Sequence, residues 1–326
     1  MSAHTHDSAL VTGATSGLGF EAAIQLARAD YEKVTITGRS EESATAAADR
    51  LVEQSGAHVF ETLVVDLNRP VSVQEAAAEV VNRSTPIDFL LLNAGMVAGN
   101  EQIITSSGVE ITVSSSLVGH HQLTKSLLGA DLLAPNARIV IAGSEAARGD
   151  VPMFQPLDLP GLAEQSFGGD RVAAARAVMA GAEPPKYKPG NTYATAKMFV
   201  AWWAAALSRR LPDGMTVNAV SPGSAPDTQA DRNANFMMKK VMMPIFKRAP
   251  KRFGLSATTE QAAARYLEAS DYGDEVSGEF FASPPKKMTG QIERMQHDHF
   301  GDIDNQEALW AAVEQTVTDI AGPTPA

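Results

Sequence analysis

The sequence predicts a doubly wound α/β fold built on a parallel sheet, and three observations carry that prediction. Short apolar runs alternate with stretches of helical periodicity from residue 8 onward. The runs are nearly continuous in apolar residues, which suits strands covered on both faces rather than on one. The first run breaks into a glycine-rich turn and leads directly into a helix.

Ser8 to Thr12 is the first strand, and Gly13-Ala14-Thr15-Ser16-Gly17-Leu18-Gly19 is the turn. Phe20, Ala23, Ile24 and Ala27 then recur at helical spacing. Lys33 to Thr37 is the second strand, and Ser40 is placed to cap a helix from Glu41 to about Ser55. His58 to Val65 closes on Asp66-Leu67, a helix runs from about Val71 to Asn82, and the strand Ile87 to Leu92 ends in Asn93-Ala94-Gly95. One long helix is expected from about Gly108 to Leu128, with the adjacent His120 and His121 facing different ways as packing or surface residues. Arg138 to Ala142 is the fifth strand, ending at Gly143-Ser144.

Between Gly149 and Thr192 prolines and glycines break the pattern, and only Arg171 to Ala180 reads as helix. A connection this long is expected to be a lid or partly disordered. The helix that follows is apolar on nearly all sides through Phe199, Trp202, Trp203 and Leu207, so it is expected to be buried, in part by a second subunit. Met215 to Val220 is the sixth strand, Glu260 to Ser270 a helix, Gly278 to Ala282 a last strand and Asn305 to Ile320 a helix. The expected organisation is one domain over 1–326, with an insertion or lid at 149–192, a substrate lid at 229–255, and a helix and tail at 305–326.

Composition narrows the function. A net charge of −11 over 326 residues argues against a nucleic acid partner. The absence of cysteine excludes disulfides, thiolate zinc sites and cysteine nucleophiles. His297-Asp298-His299 has metal-like residue types but no neighbouring cluster, and no metal is expected. Met1 to Asp7 has no apolar run of signal length and no window reaches membrane-spanning length, so a soluble cytoplasmic protein is expected.

The chemistry lies in two places. Glycines between a strand and a helix let the backbone approach a pyrophosphate, which the helix N-terminus attracts with free N–H groups and its dipole. A Rossmann-type dinucleotide site selective for NAD carries an acid near the end of the second strand; here Gly38 and then Arg39 stand there. A guanidinium suits a 2′-phosphate, so NADP(H) is expected over NAD(H). Farther on, Tyr193 and Lys197 stand four residues apart on one helix face. A phenol titrates near ~10, and a neighbouring ammonium is expected to lower that value toward the range a general acid or base needs.

Together these residues resemble the short-chain dehydrogenase/reductase family, over the chain to about residue 282. Thr12 to Gly19 looks like its cofactor turn, Asp66 with Leu67 its adenine contact, and Asn93-Ala94-Gly95 its central-strand motif. Ser144 looks like the catalytic serine, Tyr193 and Lys197 the catalytic pair, and Pro222-Gly223 the loop flanking the nicotinamide. The expanded segment before Tyr193 and the helix around Ala308-Leu309-Trp310 resemble the retinol-dehydrogenase-like subset. Two departures stand out: Ser116 occupies the place of the family's usual relay asparagine, and Thr228, expected to contact cofactor, is displaced by one residue.

The resemblance implies hydride transfer between NADP(H) and a carbonyl or alcohol on an apolar small molecule, with Tyr193 as acid or base, Ser144 orienting the oxygen, and Lys197 holding the ribose. Alternatives are reduction of a carbon–carbon double bond, against which the lack of cysteine counts, and a cofactor-binding regulator without turnover. A homodimer or homotetramer is expected. The Met-rich basic stretch from Arg232 to Arg252 has three readings: a cover over the substrate, a surface for anionic membrane, or a helix packing its Met face on the core. Membrane contact is not favoured.

Overall fold

The computed structural model describes residues 7–96, 99–224, 257–296 and 298–321. Among these, eight strands form one sheet in the order β3-β2-β1-β4-β5-β6-β7-β8. They are β1 (Ser8–Val11), β2 (Lys33–Gly38), β3 (Phe60–Val64), β4 (Ile87–Leu92), β5 (Leu133–Ala142), β6 (Thr216–Val220), β7 (Phe280–Ala282) and β8 (Glu293–Arg294). All neighbours pair in parallel except β7 and β8. The antiparallel β8 was not expected; two exposed charged residues carry no apolar signal.

Side chains alternate across the sheet as the strand period requires. Leu10, Leu90, Ile139, Ile141 and Val217 face one core, while Ala9, Val11, Leu91, Val140 and Val220 face the other. The second core is covered by α1 (Gly17–Arg28), α2 (Glu41–Ser55) and, from farther along the chain, the helix Thr259–Ser270. Ser40 caps α2 as expected, its hydroxyl accepting from Ser43 N at 3.2 Å. The first core is covered by α3 (Pro70–Arg83), α4 (Gly119–Gly129) and the helices that follow.

The long helix expected from Gly108 is broken. Gly108 has φ +78°, the Glu110 carboxylate caps Thr112 N and Val113 N, and a π-helical turn over Ser114–Val118 precedes α4. The wider turn lets Ser114, Ser115 and Ser116 all be buried. Both histidines are buried: the Trp203 indole N–H donates to His121 Nδ1 at 3.0 Å, and His120 reaches the glycine turn.

The 149–192 segment lies within the described residues and contains a helix that was not expected, α5 (Leu159–Ser166), as well as α6 (Arg171–Met179). Pro160 and Gly161 read as breakers, yet both sit in the first turn of α5, where proline is tolerated and Asp158 caps Gly161 N at 3.1 Å. Leu159, Leu162, Ala174 and Met179 join the core. Next comes α7 (Pro189–Ser208), buried continuously from Ala194 to Leu207. This chain covers it without a second subunit, through the Ser114–Val118 turn, the Glu145–Arg148 turn, β6 and the last helix of the described residues. In chain order those remaining helices are α8 (Thr259–Ser270) and α9 (Ile303–Ala321).

The strand order reverses between β1 and β4, which places a crevice beyond their carboxyl ends. The glycine turn follows β1, Asn93 follows β4, and Ser144 follows β5. Among the described residues no helix is long and apolar enough to cross a membrane. The 229–255 stretch and Thr228 lie outside the described residues.

Candidate active site

The glycine turn is shaped by steric necessity. Gly13 and Gly17 have φ of +66° and +63°, which side chains disfavour. A Cβ on Gly19 would lie 2.7 Å from the Gly13 carbonyl oxygen and collide with the Asn93 amide. The first turn of α1 receives no hydrogen bond from the side chain of Ser16 and contains no acidic residue. Backbone N–H groups of this turn are therefore available for an anion. Thr15, Ser16 and Leu18 lie in the turn, partly exposed.

Hydrogen bonds hold this cradle. Asn93 Nδ2 donates to Thr12 O at 2.9 Å, Ala94 N to Thr12 Oγ1 at 3.0 Å, and Gly13 N to Thr37 Oγ1 at 3.0 Å. Thr12 Oγ1 lies 2.9 Å from His120 Nε2, and His120 Nδ1 lies 3.2 Å from Ser116 O. A carbonyl can only accept, so Nδ1 carries the proton and Nε2 accepts from the threonine. Burial pushes the His120 value down to about 3, which keeps the ring neutral. Thr37 and His120 were missed as site residues, because nothing in local spacing links them to a turn so far away in sequence.

At the adenosine end, Arg39 is exposed just beyond β2. A Cβ on Gly38 would lie 2.9 Å from Ser43 Oγ and 3.0 Å from Ala44 N, so no acid fits there without a shift in α2. Asp66 and Leu67 close the turn after β3, where Asp66 Oδ1 accepts from Asn68 N at 3.0 Å. Gly119 lets α4 lie against this turn, since a Cβ there would collide with the Leu67 carbonyl.

Ser144, Tyr193 and Lys197 converge beyond β5. The Ser144 side chain acts on the Tyr193 phenol, and Ser144 Oγ accepts from Ala146 N at 3.2 Å. Lys197 is buried; its Nζ donates to Ala142 O at 2.7 Å and sits 5.8 Å from the centre of the Tyr193 ring. Desolvation lowers the ammonium to about 8. The Tyr193 phenol moves opposite to the direction expected from sequence. Burial pushes it up, the Ser144 side chain pulls it down, and the charge of Glu145 pushes it up again. Lys197, whose ammonium donates to Ala142 O at 2.7 Å, is not among the influences on the phenol.

Ser116 Oγ is buried and has no hydrogen-bond partner. It faces the space over Gly95, where a Cβ would lie 3.1 Å from Ser116 Oγ and 3.5 Å from Lys197 Nζ. Pro222 and Gly223 follow β6 on the far side of the crevice, Gly223 with φ +80°.

The short chain dehydrogenase family model matches residues 7–156. A probable oxidoreductase of Streptomyces antibioticus is 27% identical over 320 residues, covering 93% of this chain and 94% of its own. The chloroplastic protochlorophyllide reductase of Chlamydomonas reinhardtii is 28% identical over 93% of this chain and 76% of its own, and human retinol dehydrogenase 13 is 26% identical over 83% and 75%. The crystal structure of an actinorhodin polyketide ketoreductase with NADPH superposes with a TM-score of 0.61, 23% identity and coverage of 85% and 95%. With this fold, this turn and these relatives, the chain belongs to the short-chain dehydrogenase/reductase family of oxidoreductases.

Proposed function

We propose that the protein is an NADP(H)-dependent oxidoreductase that interconverts a carbonyl and an alcohol on an apolar small molecule. The observation that carries this reading is the convergence of Ser144, Tyr193 and Lys197 at the carboxyl end of β5, beside the glycine turn. When bound, the nicotinamide supplies or accepts the hydride. Ser144 Oγ orients the substrate oxygen, and the Tyr193 hydroxyl gives it a proton in reduction or its phenolate removes one in oxidation. Lys197, with donors beyond the one used on Ala142, holds the cofactor ribose. The edge of Phe154 packs against Tyr193 with centroids 6.0 Å apart, and its neighbour Met153 is largely exposed, which suits an apolar substrate. NADPH consumption over a panel of apolar ketones and aldehydes tests the reading. Cofactor binding with no turnover of any of them would favour a regulator instead.

The likeness to protochlorophyllide reductase supports a second reading, reduction of a carbon–carbon double bond. Product analysis on an α,β-unsaturated ketone separates the two: an allylic alcohol supports the first, a saturated ketone the second.

Cofactor choice rests on Arg39 and on the space denied to an acid at Gly38. NADPH should raise the melting temperature more than NADH at equal concentration, as linkage requires of the tighter ligand. Arg39→Asp should reverse that order, and equal shifts in the native protein would refute the selectivity.

The partnerless Ser116 hydroxyl and the Lys197 ammonium border one space, and we assign to it a water that passes protons between Lys197 and solvent. Ser116→Ala should lower turnover by about tenfold or more, within the range for proton transfer. Its melting temperature should change little, because the hydroxyl bonds no other protein group. Wild-type turnover in this variant would remove Ser116 from the relay.

A further inference from the structure

The reaction as described leaves a cluster of buried charge beside it unused. Glu145, next in sequence to Ser144, is 1% exposed. Its Oε1 accepts from Ser283 Oγ at 2.9 Å and Ser283 N at 3.3 Å and lies 3.5 Å from Arg265 Nη1. Its Oε2 accepts from Ser221 Oγ, which itself accepts from Gly223 N at 3.3 Å. Arg265, on α8 and also buried, donates to Ser221 O at 3.1 Å, Ser283 Oγ at 3.1 Å and Gly290 O at 2.6 Å.

A second arginine works on the same segment. Arg148 donates to Ser283 O, to Pro284 O at 3.3 Å and to Lys287 O at 2.9 Å, and pairs with Asp150 at 2.9 Å. Ser224 N then donates to Met288 O at 2.8 Å. Three stretches distant in sequence are thus fastened together: the turn carrying Ser144, the 221–224 loop, and 283–290. Apolar packing could join them as stably, since a buried ion pair is a weak source of stability but a directional one. What the polar cluster adds is a fixed register of backbone against backbone.

We propose that Glu145 and Arg265 are positioning residues that lock the Ser144 turn, the 221–224 loop and the 283–290 segment into one unit. The proposal rests on Tyr193 being the acid of the reaction proposed above. The charged and titratable groups around Glu145 are Arg265 and Tyr266 from α8, Tyr193 from α7, and Arg148 on its own turn. Tyr266 is buried, and its phenol is raised first by burial, then by Tyr193 and Glu145, so it stays neutral. Arg265 pairs with Glu145, and the Glu145 charge adds to burial in raising the Tyr193 phenol.

The test compares Glu145→Gln, Arg265→Met and the double variant by NADPH affinity, melting temperature and the pH profile of carbonyl reduction. Glu145→Gln keeps most hydrogen bonds and removes the charge that raises Tyr193. The alkaline limb of the reduction profile should therefore move to lower pH, by on the order of half to one unit. Arg265→Met strands a buried carboxylate and should lower both melting temperature and NADPH affinity, the latter about tenfold, by releasing the 221–224 loop. The double variant leaves no unpaired charge and should regain the melting temperature while NADPH affinity stays low. A double variant that regains both overturns the positioning role, and an unmoved alkaline limb in Glu145→Gln overturns the charge effect. A wild type that turns over no carbonyl sinks the proposed reaction instead. NADPH affinity still judges the lock in that case, and ultraviolet titration of Tyr193 against the Tyr193→Phe protein still judges the charge effect.

Discussion

Tyr193→Phe should bind NADPH nearly as tightly as the wild type and lose about 10²-fold or more in turnover, the usual scale for general acid–base catalysis. The substitution deletes one hydroxyl and no packing: the ring keeps its contact with Phe154, and the helix around it is buried along most of its length. The wild-type profile has a definite sense. Burial and Glu145 raise the phenol, so reduction, which needs it protonated, should hold through neutrality and fall only on the alkaline side. Oxidation needs the phenolate and should climb as pH rises through the same value. Steady-state kinetics in both directions, with cofactor fluorescence for affinity, check this; an undiminished rate in the variant would route the chemistry through another group.

Lys197→Met should make the protein more stable and almost inactive. The lysine is 5% exposed, and desolvation lowers its ammonium from an ordinary value of 10.5 to about 8. Between those values the unfolded chain binds more protons than the folded one, so stability rises with pH across that window. Below about pH 8 the burial of the charge opposes folding in full. Methionine fills similar volume without charge, and at neutral pH the variant should gain on the order of 1–3 kcal/mol, less what the bond to Ala142 contributed. The gain should shrink between pH 8 and pH 10.5. Turnover should fall by about 10²-fold or more and NADPH affinity with it, because the proposed ribose contact is lost. Denaturant melts at pH 7 and at pH 10 check the sign; a variant less stable at neutrality would show that the Ala142 bond outweighs desolvation.

Much of this site is legible in the sequence because the chemistry sits at places the fold marks locally. The glycine turn, Arg39, Asn93 and Ser144 each close a strand, and an apolar run that stops at a polar or glycine residue is visible without a structure. Tyr193 and Lys197 share a helical spacing that singles them out only beside the glycine turn and the strand ending at Ser144. What supports those residues has no such mark. Thr37, His120, Glu145 and Arg265 act across long sequence separations, and each looks like an ordinary strand, helix or turn residue in its own neighbourhood. Helix α5 was hidden because proline and glycine read as breakers unless the first turn is already known to lie there. The sense of the Tyr193 shift was hidden for a related reason: spacing reports that Lys197 is near, but not that the phenol is buried beside the charge of Glu145.

The burial of α7 also sets a schedule for synthesis. Trp202 and Trp203 lie on a helix that ends at Ser208, while the helix that closes over it begins at Ile303. About a hundred residues must be added in between, which at roughly 5–20 residues per second takes on the order of 5–20 s. For that interval the face of α7 that later meets the last segment stays uncovered, including Trp202, whose indole N–H donates to His299 O at 2.7 Å. The helix bearing Tyr193 and Lys197 is therefore one of the last parts of the fold to be fully covered.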